Sequence, residues 1–253
     1  MDVCDAITRQ LPSKHRYRIT DVRNRGSYGI VLAGRTDQNA DVVVKLVNLS
    51  SVKGMNVLGE PWYMTKRASF DHEVGMLHAV NLGVPDVFPE VLDACVVKRA
   101  AGVNFGFVLM RDAGTESLHT VLASGRIVPG DLMPMCAHVL KGLHDKGFVH
   151  GDLHAGNVIC ESTCVTFVDT SRTLFFANDN ADFRAAKLYD LAVLINSVDD
   201  IATQDHTLCA QFLREYNHTQ IGADDMSELL FTPEQLQEKR QEYLRILSRM
   251  PLM

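Results

Sequence analysis

The residues best suited to chemistry lie in the segment 150–157, which reads His-Gly-Asp-Leu-His-Ala-Gly-Asn. We expect a tight loop here, on which the carboxylate of Asp152 and the amide of Asn157 can have separate tasks. Asp152 can accept the proton of an attacking hydroxyl group, whereas Asn157 can offer an oxygen to a divalent cation. Asp169 follows the predicted strand 165–168 and supplies a second oxygen ligand of the kind that Mg²⁺ prefers. The sequence therefore predicts a general base at Asp152 and metal ligands at Asn157 and Asp169.

Lys45 is the second candidate, because it lies inside an otherwise apolar predicted strand. An ammonium group there is costly unless a carboxylate or a phosphate meets it. Glu73 on the following predicted helix can be that partner and can orient Lys45 toward phosphate groups. Its apolar neighbours at helical spacing are Phe70, Val74 and Leu77. Glu60 and Asp71 are alternative partners, and a surface position for Glu73 is the structural alternative.

A glycine-containing turn lies between two predicted strands at residues 24–31. Gly26, Ser27 and Gly29 would let backbone N–H groups come close to phosphate oxygens. A purely structural turn between two strands is the alternative explanation. The turn alone is therefore weak support for a nucleotide site.

The elements that must position these residues change in character along the chain. Predicted strands occupy 17–22, 30–34, 41–47, 91–97 and 105–110. Predicted helices occupy 64–80, 116–123, 132–144, 185–197 and 205–216, and a last helix begins at the capping sequence Thr232-Pro233-Glu234-Gln235. We therefore expect an α+β chain with a β-rich domain over 1–111 and an α-rich domain over 112–253.

Composition excludes several classes of protein. The 46% hydrophobic and 22% charged residues are typical of a globular chain. A net charge of -6 gives no overall attraction to nucleic acid or to an anionic membrane, so neither is an expected ligand. The acidic start of the chain does not resemble a secretory signal, and the six cysteines lack a Cys-x-x-Cys pair. We expect buried thiols and an intracellular location, in the cytoplasm or the nucleus.

The ordered set of candidates resembles the protein-kinase-like superfamily over about residues 17–200. Gly26 and Gly29 match its glycine-rich loop, and Lys45 and Glu73 match its strand lysine and helix glutamate. The catalytic-loop base, the metal asparagine and the metal aspartate are matched by Asp152, Asn157 and Asp169.

This resemblance implies a bilobal protein-kinase-like fold with a reduced α-helical lobe, and ATP and Mg²⁺ as cofactors. Residues 110–113 would form the hinge between the lobes. The residues that would enclose adenine are Val31, Val43, Met110 and Ile159. Asp190 resembles the aspartate that braces the catalytic loop in that superfamily.

The chain also departs from the usual pattern. Asn24 replaces a loop glycine, Gly151 replaces the arginine before the catalytic aspartate, and Thr170-Ser171 replace Phe-Gly. Asp190 follows Asp169 by only 21 positions, which leaves no room for a full activation segment. These features are similar to RIO kinases, the KEOPS-complex kinase and small virus-encoded or vaccinia-related kinases. They predict activity without activation-loop phosphorylation, because Gly151 offers no cation to receive the phosphate. The alternative is a rewired switch, in which His150, Arg172 or Arg184 supplies the charge for a phosphate on Thr170, Ser171 or Thr173.

Three functions remain open at this point. The favoured one is an atypical Ser/Thr protein kinase that moves the γ-phosphate of ATP to a protein substrate. The motif His-Gly-Asp-Leu-His-x-Gly-Asn also resembles small-molecule phosphotransferases of the aminoglycoside and choline kinase kind. A pseudokinase scaffold is the third, although all five chemical positions are filled.

Overall fold

A computed structural model describes residues 17–25, 29–49, 52–57, 60–98, 104–125, 130–161, 164–202, 206–217 and 230–250. The chain is a mixed α+β protein that divides into two units. The described residues of 1–78 and 89–112 form the first unit, and those of 79–88 and 113–251 form the second.

The first unit is built on an antiparallel sheet of five strands in the order β1-β2-β3-β7-β6. The strands of this unit are β1 (Tyr17–Arg25), β2 (Ile30–Thr36), β3 (Asp41–Asn48), β4 (Val52–Val57), β5 (Glu60–Thr65), β6 (Val91–Lys98) and β7 (Asn104–Arg111). The five strands predicted between residues 17 and 110 all take part in this sheet, and the strand predicted at 165–168 is found in the second unit. Strands β4 and β5 pair with each other as a separate antiparallel hairpin.

The β4–β5 hairpin was not predicted from the sequence. The hairpin occupies most of the segment between Lys45 and the following helix. The sequence does not explain the role of this segment. Gly54 and Pro61 interrupt the apolar residues of this segment, and both residue types are unfavourable inside strands. Local strand signals are therefore weak where the pairing occurs.

The two faces of the main sheet differ in composition. One face carries the core of the unit, which contains Ile19, Leu32, Val42, Val44, Phe107 and Leu109. Because side chains alternate along a strand, Val43 and Lys45 of β3 lie on the opposite face. Cross-strand pairing puts Val31 beside Lys45 and Met110 beside Val43 on that same opposite face.

Helix α1 (Lys66–Gly83) begins directly after β5, close to the predicted start. Its buried positions include Phe70, Glu73 and Leu77, which recur at helical spacing. Gly106 on β7 makes room for the helix, since a Cβ atom there would lie 2.5 Å from two ring carbons of Phe70. The close approach of Phe70 to the sheet is therefore possible because residue 106 has no side chain.

The second unit is mainly helical. Its helices are the end of α1, α2 (Leu118–Ala123), α3 (Leu132–Asp145), α4 (Ala181–Ile201), α5 (His206–Asn217) and α6 (Pro233–Arg249). Its short strands are β8 (Phe148–Val149), β9 (Val158–Glu161), β10 (Cys164–Phe167) and β11 (Leu174–Phe175). Its core includes Leu140, Leu143, Phe167, Leu194, Phe212 and Leu247.

Helix ends show where the sequence prediction was accurate and where it was not. The predicted capping sequence at Thr232 is confirmed, with reciprocal hydrogen bonds between Thr232 and Gln235. Helix α4 begins four residues before its predicted start, because the side chain of Asn180 caps the N–H of Phe183. Helix α2 begins at Leu118 after the cap Ser117, two residues later than predicted.

None of the described helices combines the length and the hydropathy needed to cross a lipid bilayer.

Candidate functional site

In the first unit, Lys45 forms an ion pair with Glu73. The Lys45 Nζ lies 2.5 Å from Glu73 Oε1, and the two side chains are only 13% and 7% exposed. Of the alternative partners, Asp71 is exposed and pairs with Arg67 on its own helix, and the side chain of Glu60 lies outside the described residues. Phe70, one helical turn before Glu73, packs over Gly106 and sets the depth of the helix on the sheet.

The apolar candidates Val31, Val43 and Met110 are half-buried neighbours of Lys45 on the same face of the sheet. They therefore provide an apolar surface beside a fixed ammonium group. Gly29 has a structural reason to be glycine, because a Cβ atom there would overlap the carbonyl oxygen of Leu46. Gly26 and Ser27 lie outside the described residues.

In the second unit, the backbone of the loop 150–157 is held by a buried carboxylate on α4. Asp190 is fully buried, and its two oxygens accept the N–H groups of His150 and Gly151, both at 2.7 Å. Gly151 has a φ of +79°, which favours glycine, and a Cβ atom there would overlap Tyr243 Oη. Asp190 thus fixes the two residues that precede Asp152.

Asp190 is itself part of a buried polar chain. His144 Nε2 lies 3.1 Å from Asp190 Oδ2, and His144 Nδ1 lies 2.6 Å from Tyr216 Oη. Burial raises the pKa of Tyr216 above its ordinary value, so the phenol remains protonated at neutral pH. The Tyr216 hydroxyl can donate to Nδ1 while Nε2–H donates to Asp190. This arrangement connects helices α3, α4 and α5 to the loop.

Asp152 lies near the start of the loop and Asn157 lies at its end. A hydrogen bond links the two residues. Asn157 Nδ2 donates to the backbone oxygen of Asp152 at 2.9 Å. The side-chain nitrogen of Asn157 is thereby engaged, and its Oδ1 has no hydrogen-bond partner among the described residues. An amide oxygen in this state is available to a cation.

The β9–β10 hairpin brings the backbone before Asp169 beside the backbone of Asn157. Phe167 of β10 pairs with Val158 of β9, and the N–H of Val168 donates to the backbone oxygen of Asn157 at 3.0 Å. Asp169 follows Val168 directly and has a φ of +67°, a conformation that costs energy for a residue with a side chain. Residues held in such conformations cluster at functional sites, where surrounding contacts maintain them.

An ion pair that the sequence did not predict involves Asp152. Arg172 Nη1 lies 2.7 Å from Asp152 Oδ1, with side-chain exposures of 9% and 27%. The pair joins two irregular segments, so no hydrophobic period marks it in the sequence. Its only local signal is an arginine shortly after the predicted metal ligand Asp169.

Tyr243 on α6 is a second residue that the sequence did not place at the site. It is 1% exposed, its hydroxyl donates to the backbone oxygen of Arg172, and its ring stacks on Tyr189 at 4.9 Å between centroids. Burial raises the pKa of Tyr189 to about 12 and that of Tyr243 well above its ordinary value. Both rings therefore remain neutral at physiological pH.

His154 lies at the exposed side of the loop and accepts the N–H of Gly156 at Nδ1, 3.1 Å away. Desolvation of the ring lowers its pKa below the ordinary value, while the charges of Asp152 and Asp169 act in the opposite direction. Both carboxylates therefore lie within electrostatic reach of His154. Capping of the short helix Ala155–Asn157 is its structural role.

Ile159 and the metal ligands are the last of the residues predicted from the sequence. Ile159 lies in β9, half-buried, and forms a β-bridge with Ser117. Within the part of the chain that the structure describes, no group of three or more His, Cys, Asp and Glu side chains could hold a metal ion. Asn157 and Asp169 could supply two protein oxygens, and further ligands would have to come from water or substrate.

No protein-family model matches this sequence, and no curated protein shows significant similarity to it. Function is therefore inferred from the residues of this chain and their geometry.

Proposed function

We propose that this protein is an ATP-dependent phosphotransferase with a bilobal protein-kinase-like fold, and that it acts as an intracellular Ser/Thr protein kinase. The observation that carries the proposal is the grouping of Asp152, Asn157 and Asp169 around one loop and the adjoining hairpin end. This grouping combines a carboxylate base with two hard oxygen donors, which is the combination that phosphoryl transfer needs.

Asn157 and Asp169 are the residues that would hold Mg²⁺. The amide oxygen of Asn157 is available, and Asp169 directly follows Val168, whose N–H donates to the backbone oxygen of Asn157. Mg²⁺ is commonly bound by one or two protein oxygens together with substrate phosphates and water, so the donor set fits. When bound, the ion would neutralise part of the phosphate charge.

The roles of the other residues follow from their chemistry. Asp152 accepts the proton of the acceptor hydroxyl while the hydroxyl oxygen forms a bond to the γ-phosphorus. The bond between the γ-phosphorus and the β-phosphate oxygen breaks, which releases ADP. Lys45 supplies a positive charge to the phosphates, and Glu73 holds that ammonium in place. Gly26, Ser27 and Gly29 are proposed to contact the phosphates. Adenine would contact Val31, Val43, Met110 and Ile159.

The roles of helices α5 and α6 favour a protein acceptor over a small molecule. Small-molecule phosphotransferases need extra structure to enclose the acceptor. In this chain Tyr216 of α5 and Tyr243 of α6 are committed to bracing His144 and Arg172. Among the described residues after α4, these two helices are therefore engaged in supporting the loop.

The proposal is tested by incubating the purified protein with γ-labelled ATP and Mg²⁺. The reactions contain the protein alone, generic protein acceptors, or a panel of small hydroxyl compounds. We expect label on serine or threonine hydroxyls of protein, and its loss with a chelator or in Asp169→Asn. Asp179→Asn is the matched control, because Asp179 is exposed and pairs only weakly with Arg184 at 3.6 Å.

Two results would change the proposal. Label that appears only on small hydroxyl compounds would assign the protein to the small-molecule phosphotransferases. Absence of label in every reaction, together with nucleotide binding that is indifferent to Mg²⁺, would contradict phosphotransfer altogether.

A further inference from the structure

We propose that Arg172 is a positioning residue that fixes the carboxylate of Asp152, so that Asp152 Oδ2 is the oxygen that accepts the proton of the acceptor hydroxyl. This inference rests on the proposed phosphotransferase function and specifies how its general base is held. It assigns a role to a residue that none of the sequence motifs includes.

The first observation is the burial of the Arg172 side chain. An arginine side chain that is only 9% exposed is costly to bury unless an anion meets its charge. Asp152 Oδ1 meets it at 2.7 Å, within the range of a charge-assisted hydrogen bond. The pair is therefore a defined contact and not a mobile surface ion pair of the kind that contributes little.

The second observation is that the backbone of Arg172 is tied to the same loop. Its carbonyl oxygen accepts the hydroxyl of Tyr243, and the hydroxyl of Thr173 donates to the backbone oxygen of His150 at 3.3 Å. The N–H of Thr173 closes a turn on the oxygen of Thr170 at 3.1 Å. The contacts of this backbone segment and the bond to Asp152 thus both restrain the position of the Arg172 guanidinium.

The third observation concerns the two oxygens of Asp152. Oδ1 is occupied by Arg172, whereas Oδ2 has no hydrogen-bond partner among the described residues. The Asp152 side chain retains 27% exposure, so an acceptor can reach it. A carboxylate anchored through one oxygen presents the other in a fixed direction. A misplacement of about 1 Å in such a group can cost roughly 10²-fold in rate.

The inference is tested with Arg172→Ala, Arg172→Met and Arg172→Lys, assayed for phosphotransfer with the acceptor that the wild type labels. Arg172→Met keeps much of the side-chain volume without the charge, which guards against loss of folding in Arg172→Ala. We expect kcat to fall by roughly 10²-fold in both, with the KM for ATP unchanged. Arg172→Lys should recover part of the loss, and guanidinium at low millimolar concentration should partly restore Arg172→Ala.

The matched control is Arg184→Ala, because Arg184 is 61% exposed and lies outside the machinery assigned here. It should keep the wild-type kcat, and guanidinium should not raise its rate. The decisive variant is the double substitution of Arg172→Met with Asp152→Asn. If Arg172 acts through Asp152, adding Arg172→Met to Asp152→Asn should lower kcat by no more than about twofold, because the two effects are not additive.

The outcomes separate this inference from the function on which it rests. A wild-type protein that transfers no phosphate overturns both. A wild-type protein that does transfer phosphate overturns the inference alone if the effects multiply in the double variant. A rise in the KM for ATP at unchanged kcat would also overturn it, because it would assign Arg172 to phosphate binding.

Discussion

The two units hold their candidate residues in different ways. In the first unit, Lys45 and Glu73 stand on a strand and a helix, and backbone hydrogen bonding within those elements fixes where each side chain points. In the second unit, Asp152 and Asp169 stand on irregular chain, whose backbone groups need partners from elsewhere. Asp190 and Tyr243, from two separate helices, supply such partners to His150, Gly151 and Arg172.

This contrast shows what a reactive loop requires. A regular element satisfies its own N–H and C=O groups, whereas buried loop groups must be satisfied individually. Gly151 in the loop and Asp169 after β10 both have positive φ, so both irregular segments depart from the usual backbone conformations. Precision at Asp152 therefore depends on side chains far away in the sequence, while precision at Lys45 depends mainly on strand and helix register.

Removing Asp190 is the strongest way to break this contrast. Asp190→Ala leaves the buried N–H groups of His150 and Gly151 without their acceptor, and each such group costs about 1–3 kcal/mol. We expect the free energy of unfolding to fall by about 2–6 kcal/mol and phosphotransfer to be lost. Denaturant unfolding measures the first effect and labelled ATP the second.

The control for that experiment is Asp200→Ala, on the same helix but exposed. Its free energy of unfolding should change by less than about 0.5 kcal/mol. Asp190→Asn, which keeps one acceptor oxygen, should fall between the two. Equal stability of Asp190→Ala and the wild type would mean that the loop does not depend on this carboxylate.

The Lys45–Glu73 pair tests the other side of the comparison. Lys45→Met leaves the Glu73 carboxylate buried without its cation, which costs about 3–5 kcal/mol. The double variant with Glu73→Leu should regain most of that stability, because apolar residues can replace a buried ion pair. It should nevertheless remain inactive, since the charge for the phosphates is gone. Recovery of activity along with stability would show that the pair is purely structural.

Gly106→Ala tests whether register on the sheet sets the position of Glu73. The added methyl group collides with the ring of Phe70, and overpacking of this kind costs about 1–3 kcal/mol. We expect a lower free energy of unfolding and reduced activity, because α1 must shift and carry Glu73 away from Lys45. Combining it with Phe70→Leu should relieve the collision and restore part of both. No change in the single variant would contradict this packing.

Alkaline pH should weaken the second unit through the tyrosines behind its loop. Tyr189 loses its proton near pH 10 when unfolded but only near pH 12 when folded, because burial disfavours the phenolate. The stability from its neutral form is therefore complete below about pH 10 and is lost as the pH rises toward about 12. Over that window each such tyrosine lowers the free energy of unfolding by about 1.4 kcal/mol per pH unit.

Tyr189→Phe sharpens the measurement, because phenylalanine keeps the stack on Tyr243 without a titrating group. Between about pH 10 and pH 12 its free energy of unfolding should decline less steeply than that of the wild type, by the amount for one tyrosine. An identical slope in both proteins would mean that Tyr189 ionises as readily in the folded state as in the unfolded state.

Local sequence patterns were enough to predict the residue types of the candidate site and most of the regular elements. The apolar run around Lys45 marked it as a charge inside an apolar strand, and helical spacing around Phe70 favoured an inward position for Glu73, which the structure confirms. These features are local, because a residue's face on a strand or helix follows from its place in a short period. The residue types of the loop 150–157 are equally local, since a carboxylate and an amide on one short loop suit proton transfer and metal binding wherever the loop lies.

The contacts that hold the loop 150–157 could not be predicted from local patterns. The contacts of Arg172 with Asp152 and of Tyr243 with Arg172 span 20 and 71 residues and join segments that share no period. The room that Gly106 gives Phe70 was not predicted for the same reason, whereas the local β4–β5 hairpin was missed because Gly54 and Pro61 weaken its strand signal. Such contacts form when packed elements bring distant backbone and side-chain groups together. A linear pattern of residue types does not show which distant groups will meet.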